Sequence, residues 1–293
     1  EHLNDHYRII STSLKKEFEA ADGTRKLMLE LKDGRLIESA LIPVQSTPLK
    51  RRMTGCISSQ AGCRFGCRFC ASGLGGFKRQ LTGEEIIEQV MYLKRSCGND
   101  RLSHLVFMGV GEPFDNYKNV MKAARTINSK DGFNIAARRL TISTCGIVPG
   151  INRLAGEGLQ IELSVSLHAA DERTRSDLMP VNKRYSLRDL MAACRRYVKQ
   201  TNRQVTFEYV MIPARNMGKR AAADLAKLLK GLNCKVNLIP YNPVKEFVIK
   251  RPGRQDIFHF RDQLMASGVK VTVRRSRGGD IGAACGQLRL AKR

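Results

Sequence analysis

From about Thr54 onward the chain alternates between short apolar runs and longer stretches with helical periodicity, and this alternation limits the fold more than any other feature. Runs at Thr54–Ser58, Leu105–Met108, Arg139–Thr144, Ile161–Leu167, Val205–Ile212, Val236–Pro240 and Val269–Val273 read as strands. Among the intervening helices, Thr82 with Glu85 forms a capping box ahead of Ile86, Ile87, Val90 and Met91. Ser186 caps another, with Leu187, Leu190, Met191 and Cys194 on one face. Gly218–Leu232 and Arg254–Ser267 supply two more. Repeated βα units predict an α/β fold, a parallel sheet flanked by helices. The polar and Gly-rich stretches follow the strands, so ligands belong at the carboxyl end of the sheet. Six such units fit a partial barrel and an open sheet equally well on periodicity alone.

Residues 1–50 read differently. The first 22 are expected to be helical and highly charged, without a strong core face. Lys26–Leu31 alternates, with Leu27, Leu29 and Leu31 on one side, and Asp33-Gly34 separates it from Leu36–Ile42, which is a hairpin signature. The expected organisation is an N-terminal extension over 1–50, helix plus hairpin, and a core over 51–293. Because the chain opens on Glu1, the extension reads as a truncated accessory region. No apolar run approaches the ~18–20 residues that span a bilayer, and no secretory signal opens the chain. The expected setting is cytoplasmic, without a membrane partner.

Charge narrows the function. Across 293 residues, 51 are Lys or Arg and 27 are Asp or Glu, a formal net charge of +24. Such a surface suits a polyanion, because displacing counterions from phosphates drives binding. Solubility alone is the plainer alternative. A membrane surface fits less well, since no basic helix carries an aromatic face. The nine cysteines read as reduced thiols, metal ligands or catalysts rather than a disulfide scaffold. Cys97, Cys145, Cys194 and Cys234 are isolated, with buried structural thiols as their default.

Cys63-Arg-Phe-Gly-Cys67-Arg-Phe-Cys70 is the strongest motif. Three thiolates on one tight loop suit three corners of an iron–sulfur cube, leaving the fourth iron open to a substrate. Electron-transfer clusters take four cysteines, and structural zinc also takes four ligands. Cys56 is a possible fourth across a long gap, so a zinc-bearing RNA-binding protein without catalysis stays open as an alternative. Phe65 and Phe69 would shield a bound cluster.

The triplet is the signature of radical S-adenosylmethionine enzymes. Further motifs follow in order: Cys56-Ile-Ser-Ser-Gln60-Ala-Gly, Phe107-Met-Gly-Val-Gly-Glu112-Pro113, Ser143-Thr-Cys-Gly146, Ser166-Leu-His168, Asn237-Leu-Ile-Pro-Tyr-Asn242-Pro243 and Asp280-Ile-Gly-Ala-Ala-Cys285-Gly-Gln-Leu288. Together, from about Glu38 to the C-terminus, they resemble the RlmN/Cfr family of radical adenine methyltransferases. The resemblance implies a partial (βα)6 barrel, one [4Fe-4S] cluster on Cys63, Cys67 and Cys70, and two molecules of S-adenosylmethionine per turnover. It implies contacts to S-adenosylmethionine from Gly111, Glu112, Ser143, Ser166, Leu167, His168 and Asn242. Cys285 would carry a methyl group, Cys56 would form a transient disulfide with it, and Glu38 would accept a proton. The implied partners are 23S ribosomal RNA, a tRNA, and an electron donor such as flavodoxin. The family also carries a small helical domain ahead of the region that opens here.

Physical chemistry supports some of these roles and leaves plainer ones beside them. Glu112 could bind the methionine ammonium or serve as a turn carboxylate before Pro113. Gly109 and Gly111 permit close backbone approach, which any strand-to-helix turn also favours. Ser143 and Ser166 are equally suited to capping, His168 to a structural role, Asn242 to a turn, and Glu38 to an exposed hairpin position. The C2 carbon of adenine is not nucleophilic, so a thiolate that first takes the methyl group makes chemical sense. Releasing the product by thiol exchange then calls for a second thiol. Arg274, Arg275 and Arg277 suit RNA phosphates around a flipped base, whereas Arg289, Lys292 and Arg293 read as a solvated tail. Gly111-Glu112-Pro113 and Arg277-Gly278 resemble the branch that methylates C2 of adenine rather than the branch that methylates C8 and confers antibiotic resistance.

Overall fold

The computed structural model describes residues 10–47 and 50–289. The chain opens with an antiparallel meander, β1 (Ser13–Glu19), β2 (Arg25–Glu30) and β3 (Leu36–Thr47). Gly34, at φ 77°, turns β2 into β3. Leu27 and Leu29 point inward from β2 and are fully buried. The expected helix over the first 22 residues is corrected for residues 13–19, which are strand β1; residues 1–9 lie outside the described residues. The reason is the position of β1 at the sheet edge. Lys15 pairs with Glu30, and Arg25 reaches both Glu17 and Glu19 across the strands. Charges that look like a solvated helix in sequence instead guard an open strand edge.

β4 (Lys50–Cys56) pairs antiparallel with β3 on one side and parallel with β7 (Leu102–Phe107) on the other. From there every pairing is parallel, through β8 (Leu140–Thr144), β9 (Glu162–Ser166), β10 (Val205–Met211), β11 (Cys234–Pro240) and the short β12 (Val271–Val273). The result is one ten-stranded sheet in the order β1-β2-β3-β4-β7-β8-β9-β10-β11-β12. The extension and the core thus share a sheet. Two-residue strands β5 (Gln60–Ala61) and β6 (Arg79–Gln80) form a separate ribbon after β4.

The helices are α1 (Gly83–Ser96), α2 (Tyr117–Asn128), α3 (Val148–Ala155), α4 (Glu172–Leu178), α5 (Leu187–Thr201), α6 (Lys219–Leu229) and α7 (Arg254–Ala266). They follow the parallel strands as an α/β partial barrel requires. α1 begins with the reciprocal Thr82–Glu85 capping box, and Arg79 grips Glu85 through two bonds of 2.7 and 2.8 Å. Ser186 caps α5 by accepting from the Asp189 amide. β10 is buried along its whole length, as a central strand covered on both faces must be. Among the described residues no helix is long and apolar enough to cross a membrane.

After β12 the chain returns across the carboxyl ends of the strands, from Arg274 to Arg289, without helix or strand. It is fastened from two sides. The core holds it through Ala71 N to Gly286 O at 2.7 Å, Ser72 Oγ to Leu288 O at 2.8 Å, Asn242 Nδ2 to Cys285 O at 3.0 Å and Gln287 Nε2 to Pro243 O at 2.8 Å. The N-terminal meander holds it through Asp22, which accepts from Gly278 N at 3.0 Å, and Glu38, which accepts from Arg289 N at 2.9 Å. Ala40, Cys56, Val110, Ala283 and Leu288 form a small apolar cluster beneath it.

Candidate active site

A cavity opens at the carboxyl ends of the parallel strands, and one wall of it is the Cys63–Cys70 loop. Cys63, Cys67 and Cys70 all line it, with Phe65 and Phe69 between them. Burial pushes the Cys63 thiol up to about 12 and Cys67 well above the usual thiol range, with the neighbouring thiols adding to both. Buried thiols of this kind become thiolates only beside a strong positive charge such as a metal centre. Among the described residues no three His, Cys, Asp or Glu side chains gather on a point suited to a single ion. The three thiols share one loop and one cavity wall, and three thiolates leave one iron of a cube without a protein ligand, whereas structural zinc takes four. The donor set fits an iron–sulfur cluster with one open iron.

The far wall is built from strand ends. Glu112 follows β7, is buried, and accepts from Phe114 N at 3.0 Å and from Cys145 N at 2.6 Å. Burial raises its pKa against these two bonds. It therefore caps the turn at Pro113 and joins the ends of β7 and β8, the plainer role weighed from sequence. Gly111 lies at φ 106°, and a Cβ there would sit 2.6 Å from Gln60. A Cβ on Gly109 would sit 2.6 Å from Ser58 Oγ. Both glycines let the β7 loop pack on the β4 loop, so their close approach is to protein. Gln60 is fully buried there, accepting from Glu112 N at 2.8 Å and donating to Asp115 Oδ2 at 2.7 Å.

Ser143 and Ser166, at the ends of β8 and β9, line the cavity half-buried. Leu167 does not line it. Its side chain is fully buried, and its backbone links β9 to β10 through Glu208 O. His168 sits at φ 57°, a strained position for a residue with a Cβ. Its Nδ1 accepts from Val210 N at 3.0 Å, which leaves the proton on Nε2. Burial, with Arg175 nearby, pushes its pKa down to about 3, so the ring is neutral. Phe69 packs edge-on against it at 4.7 Å. Asn242 donates to Cys285 O, while its Oδ1 is buried in the cavity wall with no partner. An orphaned buried acceptor at a cavity is where a ligand hydroxyl or amine bonds.

Cys285 lies between two cavities. It lines the cavity walled by the Cys63–Cys70 loop and also a second cavity with Thr54, Ile42, Arg274, Arg275 and Arg277. Its side chain is exposed, yet that exposure faces the cavities, and the surrounding protein pushes its thiol up to about 11. Cys56, at the end of β4, is buried close by. Burial raises it to about 12, the Cys285 charge adds to this, and Arg274 opposes it. Both are free thiols. Glu38 borders neither cavity. It is buried, held by Lys26 Nζ at 3.1 Å and Arg289 N at 2.9 Å. It is not the exposed hairpin carboxylate that was the plainer reading. Arg289, half-exposed, pairs with Glu246 at 2.6 Å; Lys292 and Arg293 lie outside the described residues.

Glu208 carries no signal in the sequence, and Arg274 and Cys145 stand in places that their sequence readings do not anticipate. Glu208, in mid-β10, faces the cavity with Oε2 buried and unbonded, while Oε1 accepts from Ser164 and Asn237. Arg274 stands 3.8 Å from that Oε2. Cys145, expected to be an isolated structural thiol, borders the cavity against Glu112.

Comparison with known proteins agrees with this geometry. Residues 57–226 match the model of the radical SAM superfamily. A protein of Clostridium novyi, "Probable dual-specificity RNA methyltransferase RlmN", is 43% identical over 99% of this chain and 83% of its own length. A protein of Lysinibacillus sphaericus with the same description is 46% identical over 97% of this chain and 73% of its own. The crystal structure of a radical SAM methyltransferase from Sphaerobacter thermophilus superposes with a TM-score of 0.94 at 44% identity, over 99% of this chain and 84% of that one. The chain belongs to the radical SAM superfamily and, within it, to the RlmN family.

Proposed function

We propose that this chain methylates RNA at C2 of adenine, in the peptidyl-transferase centre of 23S ribosomal RNA and in a tRNA anticodon loop, by way of a methylated Cys285. The observation that carries this reading is the position of Cys285 on the wall shared by the cavity beside the Cys63–Cys70 loop and the arginine-lined cavity. A thiol there can receive a group on one side and present it on the other. Cys63, Cys67 and Cys70 would hold the cluster. Gly111, Glu112, Ser143, Ser166, His168 and Asn242, which line the cavity, would hold S-adenosylmethionine, with Leu167 behind them joining β9 to β10. When bound, these groups supply the methyl group and a carbon radical, with two S-adenosylmethionine molecules used per turnover and an electron from a donor such as flavodoxin.

The chain's own residues do the rest. Arg274, Arg275 and Arg277 offer planar cations to phosphates beside a flipped base. Arg274 lowers the cost of a thiolate at both Cys56 and Cys285. Cys56 feels the charge of Cys285 and would exchange with it, forming the disulfide that frees the product. Glu38 is the candidate proton acceptor, held by Lys26 and by Arg289 N away from both cavities. Its present bonds also make it an anchor of the C-terminal segment. Digestion of RNA after anaerobic reaction, followed by mass spectrometry, tests the reading. It predicts 2-methyladenosine. Finding 8-methyladenosine would move the chain to the other branch, and unmodified RNA from a cluster-loaded protein would refute the activity.

A further inference from the structure

Arg175, on α4, is fully buried although it carries a full charge. Its Nε donates to Leu167 O at 3.2 Å, Nη1 to Asn182 Oδ1 at 2.7 Å, and Nη2 to Cys145 O at 2.8 Å and Ser166 O at 3.2 Å. All four acceptors are neutral. The nearest carboxylate in this network, Glu172, is one step removed, accepting from Asn182 Nδ2 at 2.6 Å. A buried cation without a directly bonded carboxylate is costly to keep, and arginine is the side chain whose rigid fork can bridge several carbonyls at once. The carbonyls it bridges belong to the two strand ends that carry Ser143 and Ser166 to His168. It also lies within electrostatic reach of Cys67 and His168.

We propose that Arg175 is a positioning residue with two effects: it clamps the ends of β8 and β9 into one cradle for S-adenosylmethionine, and it provides the buried positive charge that eases reduction of the cluster on Cys63, Cys67 and Cys70. This rests on the cluster and cofactor assignment above. Three thiolates give the cluster a net negative charge that grows on reduction. A fixed cation in a low-dielectric wall favours the more negative state. The clamp separates from the charge by substitution. Arg175→Lys keeps the charge and gives up the fork. Arg175→Met gives up both. Asn182→Asp sets a carboxylate against Nη1 and cancels the charge while keeping the clamp, with exposed Glu172 free to turn outward.

The test is an anaerobic redox titration of the cluster by electron paramagnetic resonance, with S-adenosylmethionine affinity measured on the same loaded proteins. Arg175→Lys should weaken S-adenosylmethionine binding by about tenfold, the scale of one charge-assisted hydrogen bond, with the midpoint potential held. Arg175→Met should weaken binding similarly and shift the potential negative. Asn182→Asp should shift the potential negative with affinity held. Unchanged affinity in both Arg175 variants would overturn the clamp. An unchanged potential in both Arg175→Met and Asn182→Asp would overturn the charge effect, and Asn182→Asp alone decides it if the arginine variants do not fold. A wild-type protein that takes up neither four irons nor S-adenosylmethionine would instead refute the underlying assignment.

Discussion

Single residues at this site differ in how much of their role a sequence can reveal. Cys63, Cys67 and Cys70 announce themselves because their chemistry is local: three thiols on one loop can serve a cube whatever the rest of the chain does. Replacing any one with alanine should leave the protein folded but without a cluster, read as iron content falling from about four per chain to near none; full iron content in any of them would sink the assignment. Asn242 was found by resemblance, and its unpaired Oδ1 now gives it a physical reason. Asn242→Ala also frees Cys285 O, so S-adenosylmethionine affinity should drop by about tenfold; titration of the loaded protein checks this. Glu208 is not legible in the sequence, and neither is the contact that Arg274 makes with it. A carboxylate in the middle of a buried strand leaves no spacing pattern, and only folding brings Arg274 to it from 66 positions along the chain.

At the scale of elements, β4 and β7 through β12 each lie at or within a few residues of their sequence expectations, because buried parallel strands are near-continuous apolar runs, whereas the two-residue strands β5 and β6 are too short to show in the sequence. The exception is β1, where burial gives no signal because its residues are largely exposed. Its register comes from β2, and that is invisible to local periodicity. The C-terminal segment is the other element that sequence describes poorly. Its shape depends on partners more than two hundred residues away, Asp22 and Glu38 among them. Asp22→Ala should release Gly278 while leaving the cluster loop intact. Hydrogen exchange is expected to rise across residues 278–289 and stay unchanged in α5. Equal protection in both proteins would show that the meander does not hold the segment.

The whole molecule combines a large positive charge with a buried site. Binding to RNA should weaken steeply with salt, and Arg275→Ala or Arg277→Ala should each reduce the slope of log affinity against log salt by about 0.7 to 0.9, one phosphate apiece. Acid should also destabilise the fold through His168. The unfolded chain takes up that proton near 6.5, whereas the folded protein refuses it until about 3. Stability should therefore be unaffected above 6.5 and fall as pH drops from 6.5 toward 3, by up to about 1.4 kcal/mol per pH unit. Urea unfolding at pH 7 and pH 5 reads this, and His168→Asn, which can still accept from Val210 N, should flatten the slope; parallel slopes would contradict it.

The proposed exchange between Cys285 and Cys56 is the point on which the functional account turns. The most direct measurement is mass spectrometry of Cys56→Ala protein isolated from cells that make the RNA substrate. With the second thiol gone, RNA bonded through Cys285 has no partner for exchange, so a covalent protein–RNA adduct should accumulate and map to Cys285. Normal turnover by Cys56→Ala with no adduct would contradict the two-thiol mechanism.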